Sequence, residues 1–213
     1  MPKQSGTKAA VTTADRVWTV AAQLFREKGY HATTTRELAE RLQITRASLY
    51  YYVDKKEDLL YGICVESLRR VSTAVDAALS DVVGPTERIR TLVCCHVVSM
   101  LTDIDMHATM LLDLHHLTGD QLREVVKARD AYQATVDGVI ADAQSAGALR
   151  SSFSPKVASL ALLNLMNWTI TWYRPGGPLK PQQFAEVITD IYLNGASVPS
   201  ELVDPTVCRP VAR

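Results

Sequence analysis

The sequence predicts an all-α protein: a three-helix N-terminal unit containing a helix-turn-helix, joined to a larger helical domain. Three observations carry that prediction. Apolar residues recur at helical spacing along nearly all of the 213 residues, and no alternating strand pattern competes. Capping residues punctuate the chain at Thr34, Thr45, Asp54 and Ser154, each followed by the Glu, Pro or small polar residue that a first turn favours. Gly29, Gly84-Pro85 and Gly195 stand where successive helical periods stop, as helix ends require.

Taken in order, residues 1–12 are polar and basic and read as a disordered arm. A first helix is expected from about Ala14 to Lys28, with Val17, Ala21, Leu24 and Phe25 on one stripe. Two short helices follow near 35–42 and 46–52; Thr34 with Glu37 makes a capping-box pattern for the first, and Thr45 is an N-cap for the second. Asp54 with Glu57 reads as another box, opening a long helix toward Leu79. Pro85 starts a helix running to about Leu101, and further helices are expected near 105–116, 119–146, 155–173 and 182–194. The domains are therefore 13–60 for the helix-turn-helix unit and 61–197 for the second domain, with 198–213 a loose, Pro-rich tail.

Charge is balanced at 23 Lys+Arg against 23 Asp+Glu, so the total identifies no partner. Its distribution is mildly asymmetric: residues 1–60 carry 10 Lys/Arg against 7 Asp/Glu, a sign that suits a module facing an anion. The four cysteines make no disulfide framework, since Cys94 and Cys95 are adjacent and Cys64 lies in a helical pattern. With no signal peptide, they read as free thiols in a reducing cytoplasm. The longest apolar run, ASLALLNLMNWTITW, is too short and too polar for a membrane span.

The informative stretch is TRASLYYYVDKKEDLLY, residues 45–61. Leu38, Ala39, Leu42, Ile44 and Leu49 have the spacing of a small core shared by two helices and a tight turn. That is a helix-turn-helix, whose second helix places its N-terminal residues at base edges in the major groove. Three successive tyrosines diverge by roughly 100° each and cannot all enter one core. Arg46, Ser48 and Tyr51 are thus expected to project outward, with Tyr50, Tyr52 and Lys56 at the flanks where phosphates pass. Arg reads guanine bidentately, whereas hydroxyls and ammoniums suit backbone oxygens.

The stretch from Val17 to Leu60 resembles the DNA-binding domain of the TetR family of bacterial repressors. The matching residues are Ala21, Phe25, Gly29-Tyr30, Thr34-Thr35, Leu38-Ala39, Ile44-Thr45, Leu49-Tyr50, Val53, Lys56-Glu57 and Leu59-Leu60. Ala47 stands where that family often has glycine, and Val53 replaces its commoner phenylalanine. The resemblance implies binding to double-stranded, palindromic operator DNA through Thr34, Thr35, Thr45, Arg46, Ser48, Tyr50, Tyr51, Tyr52 and Lys56. It also implies a homodimer whose last two long helices pair with those of a second copy.

The final helix supports such pairing independently, with Phe184, Val187, Ile188, Ile191 and Tyr192 on one apolar stripe. Together with Leu160 and Leu163 in the preceding apolar helix, Phe184, Val187, Ile188 and Ile191 form the expected dimerisation set. The segment WYRPGGPL, Trp172 to Leu179, is similar to a subgroup of TetR regulators of fatty-acid and sterol catabolism that answer to acyl-CoA thioesters. The expected effector contacts are Met106, Met110, Leu114, His115, Asn164, Asn167, Trp168, Trp172 and Arg174: flexible or apolar walls with a few orienting polar groups.

Two other classes remain open from the sequence. A helical enzyme lacks any phosphate loop, nucleophile elbow or HExxH pattern here. An architectural DNA-binding protein needs only about sixty residues, which leaves the larger domain without a purpose. Four histidines between 96 and 116 invite a metal reading, but no pair has convincing ligand spacing. No cofactor is expected.

Overall fold

The computed structural model describes residues 13–195; the expected arm and tail lie outside the described residues. Nine α-helices form among the described residues, without a strand: α1 (Thr13–Lys28), α2 (Thr35–Leu42), α3 (Arg46–Tyr50), α4 (Lys56–Leu79), α5 (Pro85–Thr102), α6 (Ile104–Asp113), α7 (Gly119–Ser145), α8 (Pro155–Asn167) and α9 (Pro181–Asn194). Among them no helix is long and apolar enough to cross a membrane.

Local chemistry explains most of the boundaries. Thr34 caps α2 in a reciprocal box with Glu37, and Thr45 caps α3 by accepting from the Ser48 N–H. Gly29 leaves α1 at φ 88°, a conformation that costs an L side chain about 1 kcal/mol. Two expectations are corrected. The N-cap of α4 is Lys55, whose backbone N–H donates to the Asp58 carboxylate at 2.9 Å, not Asp54 in a box with Glu57, because the Glu57 carboxylate instead accepts from the Thr118 N–H and hydroxyl at 3.1 and 3.0 Å. The helix expected over 155–173 ends at Asn167 and tightens into a 3-10 turn, Trp168–Thr171. There the Thr169 and Thr171 hydroxyls bond back to carbonyls of the preceding turn, a local competition that suits a helix end.

Two apolar cores result, and α4 belongs to both. Leu59, Leu60, Ile63 and Leu68 pack with Phe25, Leu38, Leu49 and their neighbours, whereas Val71, Val75 and Leu79 pack with α5, α7, α8 and α9. The N-terminal core also takes Met106, Met110, Leu117 and Val125 from beyond α5. Gly62 is required where α4 passes α1, since a Cβ there would lie 2.5 Å from the Trp18 indole nitrogen.

Ion pairs and hydrogen bonds reinforce the joint. Arg70 on α4 bonds Glu66, Asp103 and Asp15 at 2.7, 2.8 and 3.4 Å, and Gln121 donates to Asp58 at 2.8 Å. The α6–α7 connection meets the α1–α2 turn in an aromatic cluster. There His116 stacks on Tyr30 at 4.7 Å, with His31 and His115 against it at 4.4 and 3.9 Å.

Candidate DNA-reading surface and effector cavity

In the helix-turn-helix, α2 ends on Gln43 at φ 58°, left-handed without glycine. The Gln43 and Ile44 N–H groups bond back to Glu40 and Ala39 at 3.1 and 3.0 Å, so the turn is closed by backbone hydrogen bonds. Leu49 is fully buried beneath α3. That single anchor turns the rest of the helix outward: Tyr50, Tyr51 and Tyr52 are 48%, 86% and 41% exposed, so all three phenols are on the surface. Tyr51 and Tyr52 meet edge to face at 5.4 Å, a contact that limits their rotamers.

Among the other expected DNA contacts, Thr34 and Thr45 are exposed helix caps, and Thr35 is the half-exposed first residue of α2. The Ser48 and Thr45 hydroxyls bond each other at 2.8 Å. Arg46 is exposed and has no ion-pair or hydrogen-bond partner among the described residues. Its cationic neighbours are engaged: Arg36 with Glu40, Arg41 with Glu27, Lys28 with Glu37 and Lys55 with Glu57.

Lys56 departs from expectation. Its ammonium donates to the carbonyls of Tyr30, His31 and Thr33 at 2.8, 3.1 and 3.1 Å and lies 4.5 Å from the centre of the Tyr30 ring. All three N–H groups are used, and burial lowers its pKa. It pins the α1–α2 turn rather than presenting a free charge to phosphate.

In the second domain, α4, α5, α6, α7 and α8 enclose a cavity of about 530 Å³, a size ordinary for small-molecule sites. Leu68, Val71, Met110, Leu111 and Leu163 supply apolar wall, and the exposed Arg129, Asp130, Lys156 and Leu160 form its rim.

The floor is polar and buried. The Asn167 Oδ1 lies 3.1 Å from His96 Nε2 and 3.3 Å from His107 Nε2. On the far side of each ring, His96 Nδ1 meets the Tyr132 hydroxyl at 2.6 Å and His107 Nδ1 meets Ser67 Oγ at 3.2 Å. Burial, then the neighbouring His107, pushes His96 down to about 3; burial pushes His107 down to about 4. Both rings are therefore neutral at pH 7.

Of the expected effector contacts, Met110, Asn164 and Asn167 line this cavity. Met106 is buried in the N-terminal core and Leu114 packs on it, while His115 belongs to the aromatic cluster at the joint. Trp168, Trp172 and Arg174 are exposed and lie outside the lining, because α8 ends before them. Leu160 and Leu163, expected at a dimer contact, line the cavity, and Leu160 is also 42% exposed. Phe184 and Ile188 are buried in the chain's own core; Val187 and Ile191 remain 42% and 44% exposed. The floor residues His96, His107, Tyr132 and Ser67 were not expected as contacts. Nor were the rim cations Arg129 and Lys156. Only the histidine cluster itself was visible in advance. No group of metal-ligand side chains forms among the described residues.

Comparison with known proteins agrees with this architecture. Residues 18–62 match the family described as bacterial regulatory proteins, tetR family, and residues 83–196 match the tetracyclin repressor-like C-terminal domain. The chain is 26% identical over 189 residues to the HTH-type transcriptional repressor KstR2 of Rhodococcus jostii (strain RHA1), covering 84% of this chain and 89% of that protein. The TetR family regulator PfmR from Thermus thermophilus superposes with a TM-score of 0.80 at 30% identity, covering 86% of this chain and all of that one. AibR, solved with isovaleryl coenzyme A and operator DNA, has a TM-score of 0.75 at 24% identity, covering 84% and 97%. With both of its parts matched, the chain belongs to the TetR family of transcriptional regulators and is not an enzyme.

Proposed function

We propose that this chain is a cytoplasmic, homodimeric repressor that binds a palindromic operator and is released by an apolar small molecule seated in the cavity. One observation carries the reading. The cavity wall is built from α4 and α6, through Leu68, Val71, Met110 and Leu111, and those same helices carry Leu60, Ile63 and Met106 into the core of the DNA-reading unit. An occupant that prefers one spacing of these helices shifts the operator-binding geometry, and only such differential affinity releases DNA.

On DNA, Arg46 reads a base edge, while Thr34, Thr35, Thr45, Ser48 and the three tyrosines supply hydroxyls to phosphates and apolar ring surface to thymine methyls. Arg46→Ala is expected to relax base preference at one position per half-site and to cost roughly 1–3 kcal/mol there. Measuring affinity across operator variants checks this, and unchanged preference would displace Arg46 from the reading role.

A second copy of this chain covers α8 and α9, where Val157, Leu165, Trp168, Val187 and Ile191 stand exposed. Large apolar side chains left exposed on two neighbouring segments are what an obligate interface needs. The double substitution Trp168→Glu with Ile191→Glu is expected to yield monomers that no longer hold a two-fold operator. Sizing and operator titration report both effects; a dimer that survived intact would place the interface elsewhere.

The effector is an acyl-CoA thioester on this reading. KstR2 of Mycobacterium tuberculosis is described as a ketosteroid regulator, and AibR holds isovaleryl coenzyme A, but those likenesses are of fold. The support from this chain is its own: apolar walls for an acyl group, with Arg129 and Lys156 at the rim for phosphates. The test is to recover genomic fragments bound by the purified protein, then titrate the complex with long-chain or steroid acyl-CoA, free CoA and the free acid. Release by the thioester alone supports the reading, and equal release by the free acid removes its CoA half.

A further inference from the structure

We infer that the cavity floor is a carbonyl-recognition site in which the Asn167 side-chain amide donates to a carbonyl oxygen carried by the occupant. This deepens the effector reading and rests on it for the identity of the cavity.

The hydrogens of the floor can be counted. Each neutral imidazole carries one N–H and offers one bare nitrogen. With Asn167 Oδ1 facing both Nε2 atoms, each Nε2 donates to it, at 3.1 and 3.3 Å. Both Nδ1 atoms are then acceptors, and they receive the Tyr132 hydroxyl at 2.6 Å and the Ser67 hydroxyl at 3.2 Å. Each ring N–H and each of the two hydroxyls then meets an acceptor. Rotating the amide by 180° would make both Nδ1 atoms donors to those hydroxyls. The protons of the buried Tyr132 and Ser67 hydroxyls would then find no acceptor among the described residues, an expensive arrangement.

The favoured orientation has a consequence at the surface of the cavity. Asn167 lines the cavity and is only half-buried, and its Nδ2 group bonds to no atom among the described residues. Its two N–H donors are what the floor offers an occupant. A saturated chain would strip water from that group and return nothing. A carbonyl oxygen would replace the water.

Two carbonyls are chemically available: the thioester carbonyl itself, or a ketone on the carried group. Binding is therefore measured for two matched pairs, octanoyl-CoA against S-octyl-CoA and 1-decalone against decalin, in the native protein and in Asn167→Asp. That substitution keeps an oxygen for the two rings and removes the donor. It is expected to weaken the carbonyl-bearing member of a pair roughly tenfold and leave its carbonyl-free partner unchanged. Loss confined to octanoyl-CoA identifies the thioester as the source; loss confined to 1-decalone identifies a ketone; either supports the site. Equal change within both pairs, or binding of none of the four, overturns it.

Should Asn167→Asp fail to fold, the native protein still decides. The side-chain amide proton signals of Asn167 are expected to move downfield with the carbonyl ligand only, and a static signal overturns the proposal. Operator release is followed separately. A carbonyl preference without release overturns the repressor mechanism and leaves the floor standing, while release by acyl-CoA without any carbonyl preference does the reverse.

Discussion

Replacing Lys56 by methionine is expected to weaken operator binding strongly while leaving the salt dependence of the remaining binding unchanged. Methionine keeps much of the aliphatic stem and removes three N–H donors, which orphans the carbonyls of Tyr30, His31 and Thr33. Hydrogen bonds from a charged donor are worth about 1.5–3 kcal/mol each where solvent does not replace them. At this half-exposed site a loss of about 3 kcal/mol in all is reasonable. The turn that presents α2 loses its clamp, so affinity falls by up to the roughly hundredfold that this energy represents. The unfolding midpoint should drop by about 6–12 °C. The discriminating measurement is the salt slope, since losing a phosphate contact would flatten it by about one. A flattened slope with an unchanged midpoint would return Lys56 to the phosphate backbone.

Acid should begin to destabilise this protein above the pH at which most of its carboxylates titrate. His96 and His107 are held at about 3 and about 4 by burial, against about 6.5 in an unfolded chain. Between those values the unfolded state binds more protons than the folded one, so stability rises with pH. The contribution is fully present above about pH 6.5 and is lost as pH falls toward 4. At pH 4.5 the two rings together account for a loss of about 5 kcal/mol, a large part of the stability of an ordinary domain. Urea unfolding at pH 7.0, 5.5 and 4.5 measures it. A stability that stayed level from pH 6.5 to 4.5 would mean that one or both rings admit a proton without leaving the fold.

What could be read in advance follows the range of the interactions. Helix ends were legible at Thr34, Thr45 and Ser154-Pro155 because a cap speaks only to residues two or three positions away. The helix-turn-helix was legible because Leu38, Leu42 and Leu49 share one small core, and the outward tyrosines followed from helical geometry. The clamp made by Lys56 was not legible because its partners lie 23 to 26 residues earlier, and an exposed-looking lysine carries no mark of them. The final helix was half-legible. Its stripe is apolar throughout, and amphipathicity cannot tell Phe184 and Ile188, which enter the chain's own core, from Val187 and Ile191, which do not. Of the floor only Asn167 was named in advance, because its hydrogen bonds join residues 36 to 71 positions apart, drawn from α4, α5, α6, α7 and the end of α8.

The sharing of α4 between two cores bears on how such regulators can be rebuilt, by evolution or by hand. Exchanging residues 13–60 for the reading head of another regulator cuts the chain between Leu60 and Ile63, through the middle of one packed unit. The transplanted head would arrive without Ile63 and Leu68, and would have to fit the surface left by Met106, Met110, Leu117 and Val125. Close packing tolerates few mismatches of that kind. If α3 reads the operator as proposed, new operators are more accessible to this lineage by changing the outward faces of Arg46, Ser48 and Tyr51, one residue at a time, than by recombination at the obvious seam.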